Sequence, residues 1–135
     1  MTLEAWDPAL KPNLDWNHAW GAAPSNLIAR KLMGIEPLEA GFKRFRVKPQ
    51  TASLEKARIK MPTPKGPVLL EIEGKDRETW QASLTVPAGT GAEFHVPFPG
   101  EVSAEGPGEA KPLHEEDGRQ VLGLREGSWK LSVKK

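Results

Sequence analysis

From Phe42 onward, apolar and polar residues alternate with a period of two. Phe45 and Val47 alternate with Arg44, Arg46 and Lys48. Ala57, Ile59 and Met61 alternate with Lys56, Arg58 and Lys60, and Val68, Leu70 and Ile72 form a third set. Trp80, Ala82, Leu84 and Val86 make a fourth, Ala92, Phe94, Val96 and Phe98 a fifth, and Trp129, Leu131 and Val133 a last; Val121 to Leu124 is a shorter run. Successive side chains of a strand point to opposite faces, so each set predicts a strand with one buried face. Two such half-polar sheets bury their apolar faces against each other. The pattern therefore predicts a mainly β protein, an antiparallel, jelly-roll-like β-sandwich. Turn signals fall at Pro49, Pro62 to Gly66, Gly74-Lys75-Asp76, Pro87 to Gly91, Pro99-Gly100 and Gly118. Glu101 to Asp117 is a weaker zone with six acidic residues, one lysine, two glycines and two prolines, so it reads as a loop or irregular hairpin at the sandwich edge.

The first forty residues follow another rule. Pro8 and Pro12 exclude a long helix before Trp20. One helix is predicted over Pro24 to Met33. Pro24 suits its first turn, Ile28, Leu32 and Ile35 have the spacing of a buried stripe, and Arg30 and Lys31 complement the dipole near its end. Gly34 is placed to end it, and Pro37 prevents continuation. A single helix cannot bury its own stripe, so this part must pack on the sandwich or on something beyond these residues.

Composition narrows the class. The chain has 135 residues, enough for one domain with its own core. Its net charge of +1 gives no reason to expect nucleic acid or an anionic membrane as partner. It lacks a long apolar run that would span a bilayer, and Met1 to Leu10 has no apolar core of a signal peptide, so a soluble globular chain is expected. Cysteine is absent, which removes disulfides and thiol chemistry but does not fix the compartment. Glycine and proline number 13 each, a density that suits short strands joined by turns.

Candidate chemistry gathers in Asp15-Trp16-Asn17-His18-Ala19-Trp20, where indole faces and hydrogen-bonding side chains crowd together. Trp16 and Trp20 fit a core as well as a ligand wall, and His18 fits a structural imidazole as well as a ligand contact. The His and carboxylate spacing does not suit a metal, so none is expected. Walker loops, dinucleotide fingerprints and nucleophile elbows are missing, so no cofactor is expected either.

Glu4-Ala5-Trp6-Asp7, Lys11-Pro12-Asn13, Asp15 through Pro24, Ile28 through Pro37, Gly41-Phe42 and Val47-Lys48-Pro49-Gln50 together resemble the C-terminal part of bacterial α-L-rhamnosidases. The likeness continues at Ser53-Leu54 and Val86-Pro87-Ala88-Gly89-Thr90, and is densest over residues 4–50. It implies an (α/α) six-hairpin catalytic barrel followed by a β-sandwich. Residues 1–40 would be the end of the barrel, a loop and one helix, and residues 41–135 the sandwich. It implies hydrolysis of terminal α-L-rhamnosyl bonds with inversion, a rhamnose-containing glycoside as substrate, and the rest of the barrel as partner. Glu4, in Glu4-Ala5-Trp6, matches the family's general base. His18, in Asn17-His18, matches its sugar-contacting histidine. Trp6, Trp16 and Trp20 are candidates for the pocket wall. An inverting enzyme holds its acid and base roughly 6.5–9.5 Å apart to admit a water. The family's general acid lies in upstream barrel helices, and no carboxylate in residues 5–40 matches it. The chain alone is therefore expected to be inactive. The alternative is a non-catalytic carbohydrate-binding module, which would need exposed aromatics such as Trp80 or Trp129, or a module that docks to a separate barrel.

Overall fold

A computed structural model describes Asp7, Ala9, Leu10, residues 19–75 and residues 79–135. Eight strands follow a short helical segment: β1 (Ile35–Pro37), β2 (Arg44–Val47), β3 (Lys56–Met61), β4 (Val68–Lys75), β5 (Thr79–His95), β6 (Glu101–Glu105), β7 (Lys111–Glu116) and β8 (Arg119–Lys134). β5 and β8 have 17 and 16 residues and pair with each other along both halves. Their first shared stretch, Thr79–Val86 against Gly127–Lys134, is flanked by β4, then β3, on one side and by β6 on the other. The second stretch, Gly91–His95 against Val121–Arg125, is flanked by β2, then β1, and by β7. One continuous sheet thus folds over itself into the two layers of a sandwich.

The fold-over lies where Val-Pro-Ala-Gly-Thr suggested a turn between strands. It is instead an insertion within one strand. Val86 pairs with Gly127 and Gly91 with Arg125, so Pro87 to Thr90 face Glu126 alone. Pro87 has no N–H to give the ladder, and Gly89 takes φ +70°. The Thr90 hydroxyl donates to the Pro87 carbonyl at 2.6 Å, and the Gly89 amide donates to the Glu126 carboxylate. Such a bulge bends a strand and raises its twist without ending it.

The alternating positions are the core. Phe45, Val47, Leu70, Ile72, Leu84, Phe94, Trp129, Leu131 and Val133 are at most 2% exposed. Trp80 from the first layer meets Phe94 from the second with ring centroids 5.8 Å apart, a contact that can form only across the sandwich. Trp129 donates its indole N–H to the Arg125 carbonyl at 2.8 Å, and Gly106 lies against its ring where a Cβ would collide.

Three expectations are corrected. The sandwich is not wholly antiparallel, because β2 runs parallel to β5 from Arg44↔Gly91 to Val47↔Phe94. Of the two readings of Glu101 to Asp117, the irregular edge hairpin fits its second half, which pairs with β8 through a register shift, but the segment is not simply a loop. It forms edge strands β6 and β7, and β7 is joined to β8 by Asp117-Gly118. Both of those residues have positive φ, the conformation of a two-residue hairpin turn. Third, the helix is not one regular element with a buried stripe. The chain runs through a 3-10 turn (Ala19–Ala22), helix α1 (Ala23–Leu27) and a π-helical turn (Ile28–Leu32), closed by the Met33 amide on the Ile28 carbonyl at 2.9 Å. Ile28 is 51% and Leu27 54% exposed, whereas Met33 and Ile35 enter the core. Gly34 does end the segment, at φ +73°. The sheet starts with β1, ahead of position 41, the expected start of the sandwich.

Candidate functional site: the junction between helix and sheet

The helical segment reaches the sheet through polar side chains. In β1, Glu36 stands opposite Arg46 of β2, and antiparallel neighbours of opposite charge attract. Arg46 donates to Glu36 Oε2. From the last helical turn, Lys31 Nζ lies 2.8 Å and Arg30 Nη2 3.3 Å from Glu36 Oε1. The Glu36 side chain is 9% exposed. The Lys31 hydrogen bond, then that of Arg46, brings its pKa down from 4.5 to about 2. Gln50 adds two links, its amide to the Leu32 carbonyl at 2.8 Å and its side chain to the Lys31 carbonyl at 3.3 Å.

A second cluster adjoins the first. Lys48 Nζ and His95 Nδ1 lie 3.2 and 2.9 Å from Glu116 Oε2. Burial pushes the His95 pKa down despite Glu116, so the ring is neutral at pH 7 and its Nδ1–H is the donor. The Lys48 hydrogen bond holds Glu116 below the usual carboxylate range. Between helix and sheet lies a cavity of about 180 Å³, lined by Arg30, Lys31, Gly34, Glu36, Arg46, Lys48 and Gln50. A wider groove of about 300 Å³ crosses the outer face of the first layer, with Gln81, Ser83 and Lys130 between Glu71 and Glu105.

The residues singled out from sequence do not meet here. Glu4, Trp6, Trp16 and His18 lie outside the described residues. Trp20 lies in the 3-10 turn, and its side chain is outside the description. Trp80 is 6% and Trp129 1% exposed, so neither presents a sugar-stacking face. Among the described residues, no His, Asp and Glu side chains are grouped to hold a metal ion, and no helix is long and apolar enough to cross a membrane. Sequence reasoning missed the Glu36 cluster. Its one signal was Arg30-Lys31 followed by an acidic residue just beyond Gly34.

Glu36 gives the junction a pH dependence. A carboxylate whose folded pKa is depressed stabilises the fold above its unfolded pKa and loses that contribution as pH falls through the folded value. The window is therefore pH 4.5 down to about 2. With partners half exposed and screened, the cluster contributes about 1–2 kcal/mol. Urea denaturation should find Glu36→Gln less stable than the parent by about that amount at pH 6, with the gap closing near pH 2. A gap that does not change with pH would mean that the carboxylate's charge is not what matters.

The family described as the bacterial alpha-L-rhamnosidase C-terminal domain matches residues 34–111, from Gly34 at the junction to the start of β7. The chain belongs to this family. A search of curated protein sequences finds no match. The α-L-rhamnosidase of Streptomyces avermitilis, solved in complex with L-rhamnose, is 22% identical with a TM-score of 0.79, over 99% of this chain and 14% of that one. The α-L-rhamnosidase of Dictyoglumus thermophilum is 22% identical with a TM-score of 0.73, over 87% of this chain and 14% of that one. For the Aspergillus terreus enzyme the values are 20%, 0.73, 98% and 14%. At these identities the likeness is one of fold, and the chain spans about 14% of the length of these solved enzymes. Glu36, Arg46, Lys48 and His95 fall within the rhamnosidase C-terminal domain match, whereas the helical segment before Gly34 precedes it.

Proposed function

We propose that this chain is the C-terminal part of an inverting α-L-rhamnosidase-like hydrolase. Residues 1–40 would close an (α/α) barrel and residues 41–135 would form the sandwich that supports it. The observation that carries this reading is the helical segment itself. It is pinned by its charged side to a domain of the rhamnosidase family, and its apolar residues Leu27 and Ile28 are left exposed. A helix leaves such residues uncovered where another element is meant to pack. In this reading Glu4 activates the attacking water, His18 hydrogen-bonds a rhamnose hydroxyl, and Trp6, Trp16 and Trp20 wall the pocket. The general acid comes from barrel helices beyond this chain. General acid catalysis is worth about 10²–10⁴-fold, and positioning by the rest of the pocket is worth more.

The chain alone should therefore show no measurable turnover of an aryl α-L-rhamnoside. Turnover abolished by Glu4→Ala would overturn the reading, since the acid would then have to come from within this chain. The carbohydrate-binding alternative loses its footing with the burial of Trp80 and Trp129.

A further inference from the structure

The cavity between helix and sheet has a charge surplus. Among the described residues, three cations, Arg30, Lys31 and Arg46, converge on the one carboxylate of Glu36, whose two oxygens are both engaged. Lys48, on the same cavity, is matched by Glu116. Glu36 and the three cations around it thus carry two more positive charges than negative ones. Arg46 also keeps a buried Nε–H with no acceptor among the described residues. Buried donors are nearly always paired, and a guanidinium N–H is among the costliest to leave unpaired. No acceptor among the described residues, helix carbonyls included, lies within hydrogen-bonding reach of it.

The surplus is also confined. Outside the cavity, Arg44 is matched by Glu39 and Glu93, and Lys56 by Glu73. Arg44 and Lys48, which flank Arg46 on the same face, are each paired with carboxylates, so β2 carries no unpaired positive stripe of the kind that a polyanion's backbone would follow. A space of about 180 Å³ suits a small anion with its water, and two arginines and a lysine suit an oxyanion, whose paired oxygens match the guanidinium fork.

We propose that this cavity binds a small oxyanion, a phosphate or a carboxylate, which bridges the last helical turn to β2. The anion would accept from Arg46 and from Lys31, with Arg30 beside them, and so tie the helical segment to the sandwich more firmly than Glu36 does alone. Nothing in the rhamnosidase reading requires such a site, and it stands or falls separately.

The test is an amide ¹H–¹⁵N titration of the whole chain at constant ionic strength. Sodium phosphate and sodium glucuronate are the probes, with sodium chloride and neutral glucose as references. The expected result is saturable shifts at Gly34, Glu36, Arg46 and Gln50 with one or both oxyanions, and none with glucose. Response to phosphate alone marks a tetrahedral-anion site, and response to glucuronate alone a carboxylate site. Lys31→Gln should weaken binding about tenfold, the loss of one charge-assisted contact. Lys130→Gln, on the far face, should leave it unchanged. Arg46→Lys keeps the charge and loses the fork, and should also weaken it. If Arg46→Lys does not fold, Lys31→Gln decides, because that side chain is 60% exposed. The proposal is overturned if neither oxyanion gives saturable shifts beyond those of chloride, or if the shifts persist at equal affinity in Lys31→Gln.

Discussion

Trp129→Ala is expected to cost about 3–5 kcal/mol of folding free energy, the range for truncating a buried aromatic side chain. That is a large part of the roughly 5–15 kcal/mol by which a domain is usually stable. The indole is 1% exposed and bonded to the Arg125 carbonyl, and it fills the space that Gly106 leaves by having no Cβ. Gly106 and Arg125 stand in separate segments, so neither can move in to close the gap without breaking the β8 ladder. Urea denaturation at pH 7 should show either a much lower midpoint or a chain unfolded without denaturant. A loss below about 1.5 kcal/mol, the cost of a tolerated volume-conserving swap, would mean that the site collapses easily and that the two layers do not meet at this ring.

The second large effect is expected at the junction. Gly34→Ala should destabilise by about 3 kcal/mol or more. Gly34 combines φ +73° with backbone contact, and an added Cβ would overlap the Lys48 carbonyl, which cannot rotate away as a side chain can. The Lys48 amide donates to the Gly34 carbonyl at 3.0 Å, so pushing the two apart also breaks the pairing that starts β1. Gly41→Ala is the matched control. Its φ is +68°, but an added Cβ there meets nothing within 4 Å. It should cost only the left-handed conformation itself, about 1–2 kcal/mol. Measured side by side, the difference isolates the steric part. Equal losses at the two positions would mean that Lys48 yields and that the junction is looser than drawn.

The fold was legible wherever one face of a strand is buried and the other wet. β3, β4, both halves of β5 and the second half of β8 were readable for that reason. β7 was not, because it buries neither face, and Lys111-Pro112-Leu113-His114-Glu115-Glu116 has no alternation to read. The continuity of β5 was hidden by turn chemistry at Pro87 to Gly91. Local preference there describes the bend correctly, but pairing with β8 on both sides keeps it within one strand. The parallel pairing of β2 leaves no trace in a period of two, which records faces and not directions. The Glu36 cluster was hidden in another way. Arg30, Lys31 and Arg46 look like solvated charges one by one, and only the register Glu36↔Arg46 and the end of the helix at Gly34 bring them to one carboxylate. The resemblance-based site residues Glu4, Trp6, Trp16 and His18 lie outside the described part, and sequence likeness remains their support.

The strands shared by both layers also bear on how the chain can be made. Synthesis delivers β5 some forty residues before β8, and until β8 emerges neither layer has its central pair. Until then β5 keeps an open edge and β6 and β7 lack their partner, and such edges are where nascent chains stick to one another. When β8 arrives, closure should begin at His95 against Val121, the paired positions nearest in sequence, and run toward Thr79 against Lys134, since shorter loops close at less entropic cost. The last sixteen strand residues act as a fastener drawn through both layers in one movement. A ribosome stalled before Arg119 would hold a chain in which neither layer is complete.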